Sequence, residues 1–357
     1  MSVILPRPGA RPRGLALALV LALAAPAWGA CAKAPAEGGA ATETAPVEAD
    51  KQAPPEVPAV WPLTGLPGEV VERPALAVKV ENSAAARPQS GLEQADIVWE
   101  EMVEGGESRF IAVFNSQVPE AVGPVRSVRP MDGPILGATG GLLAFSGGQS
   151  RFVEQAKAAG LQVLTEDSGG AGFFRSTDRP MPHNLYLRPA EAWEQADEAH
   201  RGPVAAEFAH ADAPGAATAA RDGRPAAALA VTISAAAKPN WTWDASAGVY
   251  LRSERDVPSE AASGVRLAAQ NVIALSVPIE MAGGTDAAGS PIPDTRIVGS
   301  GQGLVASGGG AIDIEWSKAS DFDRLVLKTP DGVEIALAPG VTWIELVPLG
   351  DGGWVVT

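Results

Sequence analysis

Arg7, Arg11 and Arg13 stand ahead of an uncharged run, Gly14–Ala30, and the only cysteine of the chain, Cys31, follows at once. This leader constrains the fold more than any other feature. The run has 17 residues, short for a membrane span of about 20. It ends in small residues around Pro26, as a signal-peptide cleavage region does. Residues 1–30 therefore read as an address. What folds is an exported chain that can form neither an intramolecular disulfide nor a Cys-rich zinc module.

The stretch Trp28-Gly29-Ala30-Cys31 is similar to a bacterial lipobox, in which the cysteine thiol receives a diacylglyceryl group and becomes the new N-terminus. Trp28 stands where an aliphatic residue is usual. Ordinary cleavage after Ala27 and retention as an anchor helix are the competing outcomes. Lipidation at Cys31 is the favoured reading, because a free thiol is otherwise a liability in an exported protein. Residues 32–60 hold five prolines, nine alanines and no aromatic residue. Such a composition buries too little surface to offset its ordering entropy, so 31–60 is read as a lipidated Cys followed by a disordered Pro/Ala/Glu tether.

The whole chain carries a formal charge of −15; without the leader, 24 basic residues face 42 acidic ones, a charge of −18. Nucleic-acid affinity comes largely from Lys and Arg on phosphates, so no nucleic-acid partner is expected. The expected location is the extracytoplasmic face of the cell membrane, held there by the lipid.

Short apolar runs bounded by turn residues predict strands at 75–81, 109–115, 141–146 and 161–164. Residues 96–103 fit a strand or a helix. A helix is expected over 151–159 with Ser150 as its N-cap and Gly160 after it. A second starts at Pro189 and ends near Arg201. Residues 61–203 thus form an α+β domain, a mixed sheet with flanking helices. Residues 204–224 read as a linker and 225–357 as a β-rich domain. In the latter, Asp331-Gly332 between alternating runs signals a hairpin over 324–337, Gly299–Gly303 reads as a flexible hairpin loop, and Trp343 and Trp354 are expected in the core.

The usual catalytic motifs are absent from the sequence. It has no phosphate-binding P-loop, no Gly-x-Ser-x-Gly elbow around Ser146, and only three scattered histidines, His183, His200 and His210. No metal and no cofactor are expected. What stands out is arginine among Gly and Pro: Arg109 after Gly105-Gly106, Arg126 and Arg129 around Ser127, and Arg175 and Arg179 ahead of His183-Asn184. A guanidinium is a planar fork that matches carboxylate or phosphate. Internal pairing with Glu100, Glu101, Glu104 and Glu107 is the bland alternative.

Several strings carry a family resemblance. They are Pro62-Leu-Thr-Gly-Leu66, Ala85-Ala-Arg-Pro-Gln-Ser-Gly-Leu92, Gln94-Ala-Asp-Ile-Val98, Val122-Gly-Pro-Val-Arg-Ser-Val-Arg129 and Pro182-His-Asn-Leu-Tyr186, then Tyr250-Leu-Arg252, Trp316-Ser-Lys318 and Pro339-Gly-Val-Thr-Trp-Ile344. Together the chain resembles the YerB-like bacterial lipoproteins over about residues 61–357. The resemblance implies an N-terminal and a C-terminal domain of unknown function and a lipoprotein location. It implies no established reaction, and no catalytic residue is carried over. Glu107-Ser108 departs from the pattern, which expects an apolar residue followed by Thr.

Two functions of different class follow. One is a membrane-tethered ligand-binding or scaffolding protein of the cell envelope. Arg109, Arg126, Arg129 and His183 would face an anionic envelope ligand, with Asn184 and Arg175 in support; an envelope protein is the other expected partner. The alternative is an envelope enzyme acting on glycan or phosphoester bonds, with the arginines stabilising developing charge and His183 or Asp96 as acid or base.

Overall fold

The computed structural model describes residues 59–357. Cys31 and the tether up to residue 58 lie outside them. β1 (Leu76–Glu81), β2 (Ile97–Met102) and β3 (Ser108–Phe114) form the middle of an 11-stranded sheet. β2 settles as a strand because its neighbours claim both of its edges. β3 pairs with it antiparallel, and Thr342–Pro348 pairs with it parallel, Ile97 opposite Thr342. β1 joins the free edge of β3, and β4 (Leu142–Phe145) and β5 (Gln162–Thr165) extend the sheet in parallel beyond β1. On the other side Thr342–Pro348 leads to Asn271–Val277, Gly299–Ser307, Gly310–Lys318 and Val326–Lys328. Residues 61–203 and 225–357 thus contribute strands to one sheet.

Each central strand is apolar on both faces, as burial on two sides requires. One face packs on a six-stranded sheet that includes Ala228–Thr232, Pro239–Asp244 and Val249–Glu254. It buries Phe110, Trp241, Tyr250 and Trp343 with Val78, Val98 and Leu229. Trp343 meets Phe110 and Trp241 edge-on, each at 5.3 Å, a preferred arrangement of aromatic quadrupoles. Trp354 is half-buried against this core. The other face is covered by α1 (Asp132–Leu136) and α2 (Ser150–Ala158) through Ile135, Leu136, Phe152 and Ala156.

Four local expectations are corrected. Ser150 is the first residue of α2 and Gln149 takes the cap position, without a side-chain bond to the helix. The helix from Pro189 ends at Trp193. The Asp197 carboxylate accepts from the N–H groups of Ala199 and His200, at 2.9 and 3.1 Å, and so builds a separate turn. Gly299–Gly303 is the start of a strand, not a loop. Its glycines serve close packing: a Cβ on Gly301 would lie 2.7 Å from the Trp316 indole nitrogen and 2.9 Å from the Ser276 carbonyl. The Asp331-Gly332 turn forms, with Gly332 N–H on the Thr329 carbonyl at 2.8 Å. Its second arm pairs back on the first, Glu334 opposite Lys328 and the Ile335 N–H on the Leu327 carbonyl at 2.9 Å, and Ala336–Leu337 then pairs with Ala209–His210. Residues 204–224 therefore carry structure, including the helical turn Thr218–Asp222.

Candidate functional site

At one end of β1–β3 the apolar alternation breaks, and charge is buried on both faces of the sheet. On the helix-covered face Lys79, Glu101 and Asp132 are fully buried. Lys79 sits in β1 and Glu101 in β2, with β3 between them, so the two side chains meet across it on one face; Asp132 starts α1. The Lys79 ammonium bonds Glu101 and, at 2.6 Å, Asp132. Asp132 also accepts the Arg129 N–H at 2.8 Å, which fixes the loop carrying the arginines. One ammonium thus serves two carboxylates. Burial, and then the nearby Asp132 charge, push the Glu101 carboxyl up to about 8 against the pull of Lys79.

Arg109, Arg126 and Arg129 come together here. They line one cavity of about 330 Å³ with Ser127, Gly148 and Gln149, and with Phe152, Asp286, Ala287 and Ile292. Their roles differ. Arg129 is buried and grips Glu104 with two nitrogens, at 2.6 and 2.7 Å, as a fork on a carboxylate. Arg109 donates one terminal nitrogen to the Ser127 carbonyl at 3.0 Å, and its other lies 4.0 Å from Glu104. Burial, then repulsion from Arg129, lower the Arg109 pKa to about 10. Arg126 is 27% exposed, and among the described residues its one ion-pair partner is Glu81, at 3.4 Å through Nε. Its two terminal nitrogens have no partner among the described residues.

His183 joins the rim indirectly. Its Nδ1 bonds the Glu81 carboxylate at 2.9 Å, the same group that faces Arg126. Arg175 and Asn184 do not reach this cavity: Arg175 bonds the Asn184 side chain at 3.1 Å and Glu166 at 2.8 Å. Of the acids expected to pair with arginines, Glu104 does so on this face, Glu101 pairs with Lys79, Glu100 pairs with Arg252 and Glu107 is exposed. Asp96 is spent at the end of β3, accepting from the N–H groups of Asn115 and Ser116.

On the opposite face Arg252 is fully buried among Glu100 at 2.7 Å, Glu254 at 3.1 Å and Glu345. Burial opposes its charge, but the three acids outweigh burial and raise its pKa. Glu345 stands in register with Glu100 on the adjacent parallel strand and accepts the Trp241 indole N–H at 2.9 Å. Burial, then Glu100, raise the Glu345 pKa well above its ordinary value. Reading the arginines alone misses Lys79, Asp132, Arg252 and Glu345. The available signal was a lone charge inside an apolar strand: Lys79 within Leu76–Glu81 and Glu345 within Thr342–Pro348.

The chain matches a two-part family. Residues 63–202 match the N-terminal domain of "Protein of unknown function (DUF3048)" and residues 229–344 match its C-terminal domain. The chain belongs to this family. A relative from Bacillus subtilis (strain 168), named "Putative lipoprotein YerB", is 30% identical over 299 residues, covering 80% of this chain and 86% of the relative. The crystal structure of YerB protein from Bacillus subtilis superposes with a TM-score of 0.70 at 27% identity, covering 84% of this chain and 100% of that one.

Proposed function

We propose that the protein is a lipid-tethered component of the bacterial cell envelope, attached through Cys31, that binds an anionic ligand in the Arg109–Arg126–Arg129 cavity. The observation that carries this reading is the unequal use of the three arginines. Arg129 is consumed by Glu104, whereas Arg126 lines the cavity and its two terminal guanidinium nitrogens have no partner among the described residues. Charge-assisted bonds of this kind are worth roughly 1.5–3 kcal/mol each. The name of the Bacillus subtilis relative supports the lipid anchor, and Cys31 supplies the thiol. The test is calorimetric titration of the full exported chain with inorganic phosphate and with acetate, alongside Arg126→Ala. Binding by the wild type and its loss in the variant are expected. A wild type that binds neither anion would refute the reading and shift attention to a protein partner.

A further inference from the structure

We infer that a second cavity, where the two family segments meet, binds an uncharged amide carrying one ring-sized apolar group. This goes beyond the anion-binding reading and does not rest on it. The cavity holds about 250 Å³. One wall is Arg87-Pro88-Gln89, after the turn that follows β1. The other runs from Arg252 to Leu267, where Val249–Glu254 folds back as the short strand Val257–Pro258. Phe110 of β3 completes the lining. Two strings singled out in the sequence, 85–92 and 250–252, thus meet at one place. The walls are tied together by the protein itself. The Ala262 N–H bonds the Gln89 carbonyl at 2.7 Å, and the Ser263 hydroxyl bonds Glu93 at 2.7 Å. Arg87 is held by Asn82, through Nε at 3.0 Å to the side-chain oxygen and through a terminal nitrogen at 2.7 Å to the carbonyl. Such a largely pre-formed concavity at a junction of segments is where small ligands bind.

The charges that line this cavity cancel. Arg87 and Arg252 stand against Glu254 and Glu260. Both guanidinium groups reach the same Glu254 oxygen, at 3.5 and 3.1 Å. The next charges outward also pair off: Glu100 with Arg252, and Arg266 opposite Glu260. No net charge remains to offset the hydration that an ion would give up on entering.

Hydrogen-bonding capacity is left over in both senses. Arg252 is 1% exposed, and its Nε is buried with no partner among the described residues. The Ser259 hydroxyl accepts from Arg252 at 2.9 Å, which leaves its own proton to donate. Gln89 is buried, and its amide nitrogen donates to the Glu81 carbonyl and to the Asn82 side chain, each at 3.0 Å. Both partners are oxygens, so the Gln89 Oε1 is turned the other way, and it accepts nothing among the described residues. Buried polar groups are ordinarily partnered. An amide carries one acceptor and one N–H donor, and so answers donors and acceptor together. The rest of the lining is apolar, from Phe110, Leu267, Val257, Pro88 and Pro258. At about 250 Å³, below the roughly 300–1,000 Å³ of drug-sized sites, it takes one ring-sized group.

The experiment titrates the full exported chain with N-acetylphenylalaninamide and three controls. N-acetylphenylalanine adds a negative charge, phenethylamine a positive one, and N-acetylglycinamide lacks the ring. The neutral aromatic amide is expected to bind roughly tenfold tighter than each control. Val257 is 68% exposed and lines the cavity. Val257→Glu should therefore weaken the aromatic amide by roughly tenfold with melting and phosphate binding unchanged. Arg126→Ala should bind the amide as the wild type does. Equal binding of all four probes, or of none, overturns the inference, as does loss of the amide on Arg126→Ala, which would place it in the arginine cavity. Phosphate binding without amide binding sinks this inference and leaves the anion reading standing; amide binding without phosphate binding does the reverse. A last comparison separates the sources of the amide. Tighter binding of a capped alanine–phenylalanine–alanine tripeptide assigns a residue within a peptide chain, and tighter binding of benzamide assigns a free small amide.

Discussion

Replacing Arg129 and Arg126 separately by alanine should give opposite phenotypes. The Arg129 side chain is 8% exposed and Glu104 is 6% exposed, joined at 2.6 and 2.7 Å. Arg129→Ala strands a carboxylate in the interior, with only Arg109 4.0 Å away. Removing one partner of a buried pair costs about 3–5 kcal/mol. At roughly 2–4 °C per kcal/mol for a domain of this size class, melting should fall by on the order of 6–20 °C. Arg126 is 27% exposed and 3.4 Å from Glu81, and such a screened contact is worth about 0.2–1 kcal/mol. Arg126→Ala should therefore melt within about 4 °C of wild type and lose anion affinity. Differential scanning calorimetry and phosphate titration on both variants read this out. Arg129→Met with Glu104→Gln should recover much of the lost stability, because the orphaned charge is gone. Wild-type melting for Arg129→Ala, or a comparable loss for Arg126→Ala, would refute the division into strut and ligand group.

Three more outcomes are expected. The folded-state pKa of Glu101 lies near 8, above its ordinary 4.5. The native state thus keeps a proton that the unfolded chain releases, and stability should decline as pH rises from about 4.5 to 8; Glu101→Gln should flatten that decline in urea melts at pH 5 and pH 8. Glu345→Gln should cost little, since burial and the neighbouring Glu100 already favour the neutral form of its carboxyl, whereas Arg252→Ala, which removes the cation between Glu100 and Glu254, should lose about 3–5 kcal/mol in denaturant unfolding. Gly301→Ala would push a methyl into the Trp316 indole and disturb its 3.1 Å bond to the Ser276 carbonyl; a loss of about 1–3 kcal/mol is expected, with a shift in tryptophan emission.

Strand positions in the first half were legible because buried strands write themselves as short apolar runs: 75–81 and 109–115 fall within a residue of β1 and β3. The sequence could not show that Ile97 faces Thr342, since periodicity reports burial and not the partner. That pairing merges the two segments into one sheet and resolves the ambiguity of β2. Arginine clustering among glycines picked out Arg109, Arg126 and Arg129, which line one cavity. It failed to separate them from Arg175, whose partners are Glu166 and Asn184. Nearness along the chain cannot tell a guanidinium that faces a cavity from one that closes a loop. Lys79 and Glu345 were passed over for the opposite reason: one charge in an apolar run scores as noise, yet burial forces it to have a partner.

The parallel pairing of β2 with Thr342–Pro348 also governs the order in which the sheet can close. A chain made from its N-terminal end presents β1–β3 long before residues 342–348 arrive. Until then an edge of β2 is open, and open edges template pairing with other chains. The interior carboxyls Glu100 and Glu345 are likewise brought side by side only at that moment. Maturation therefore ends in a late, long-range closure, the slow class of folding event. A lesion in 342–348 would leave a half-closed sheet and appear as a failure of folding before any failure at the cavity.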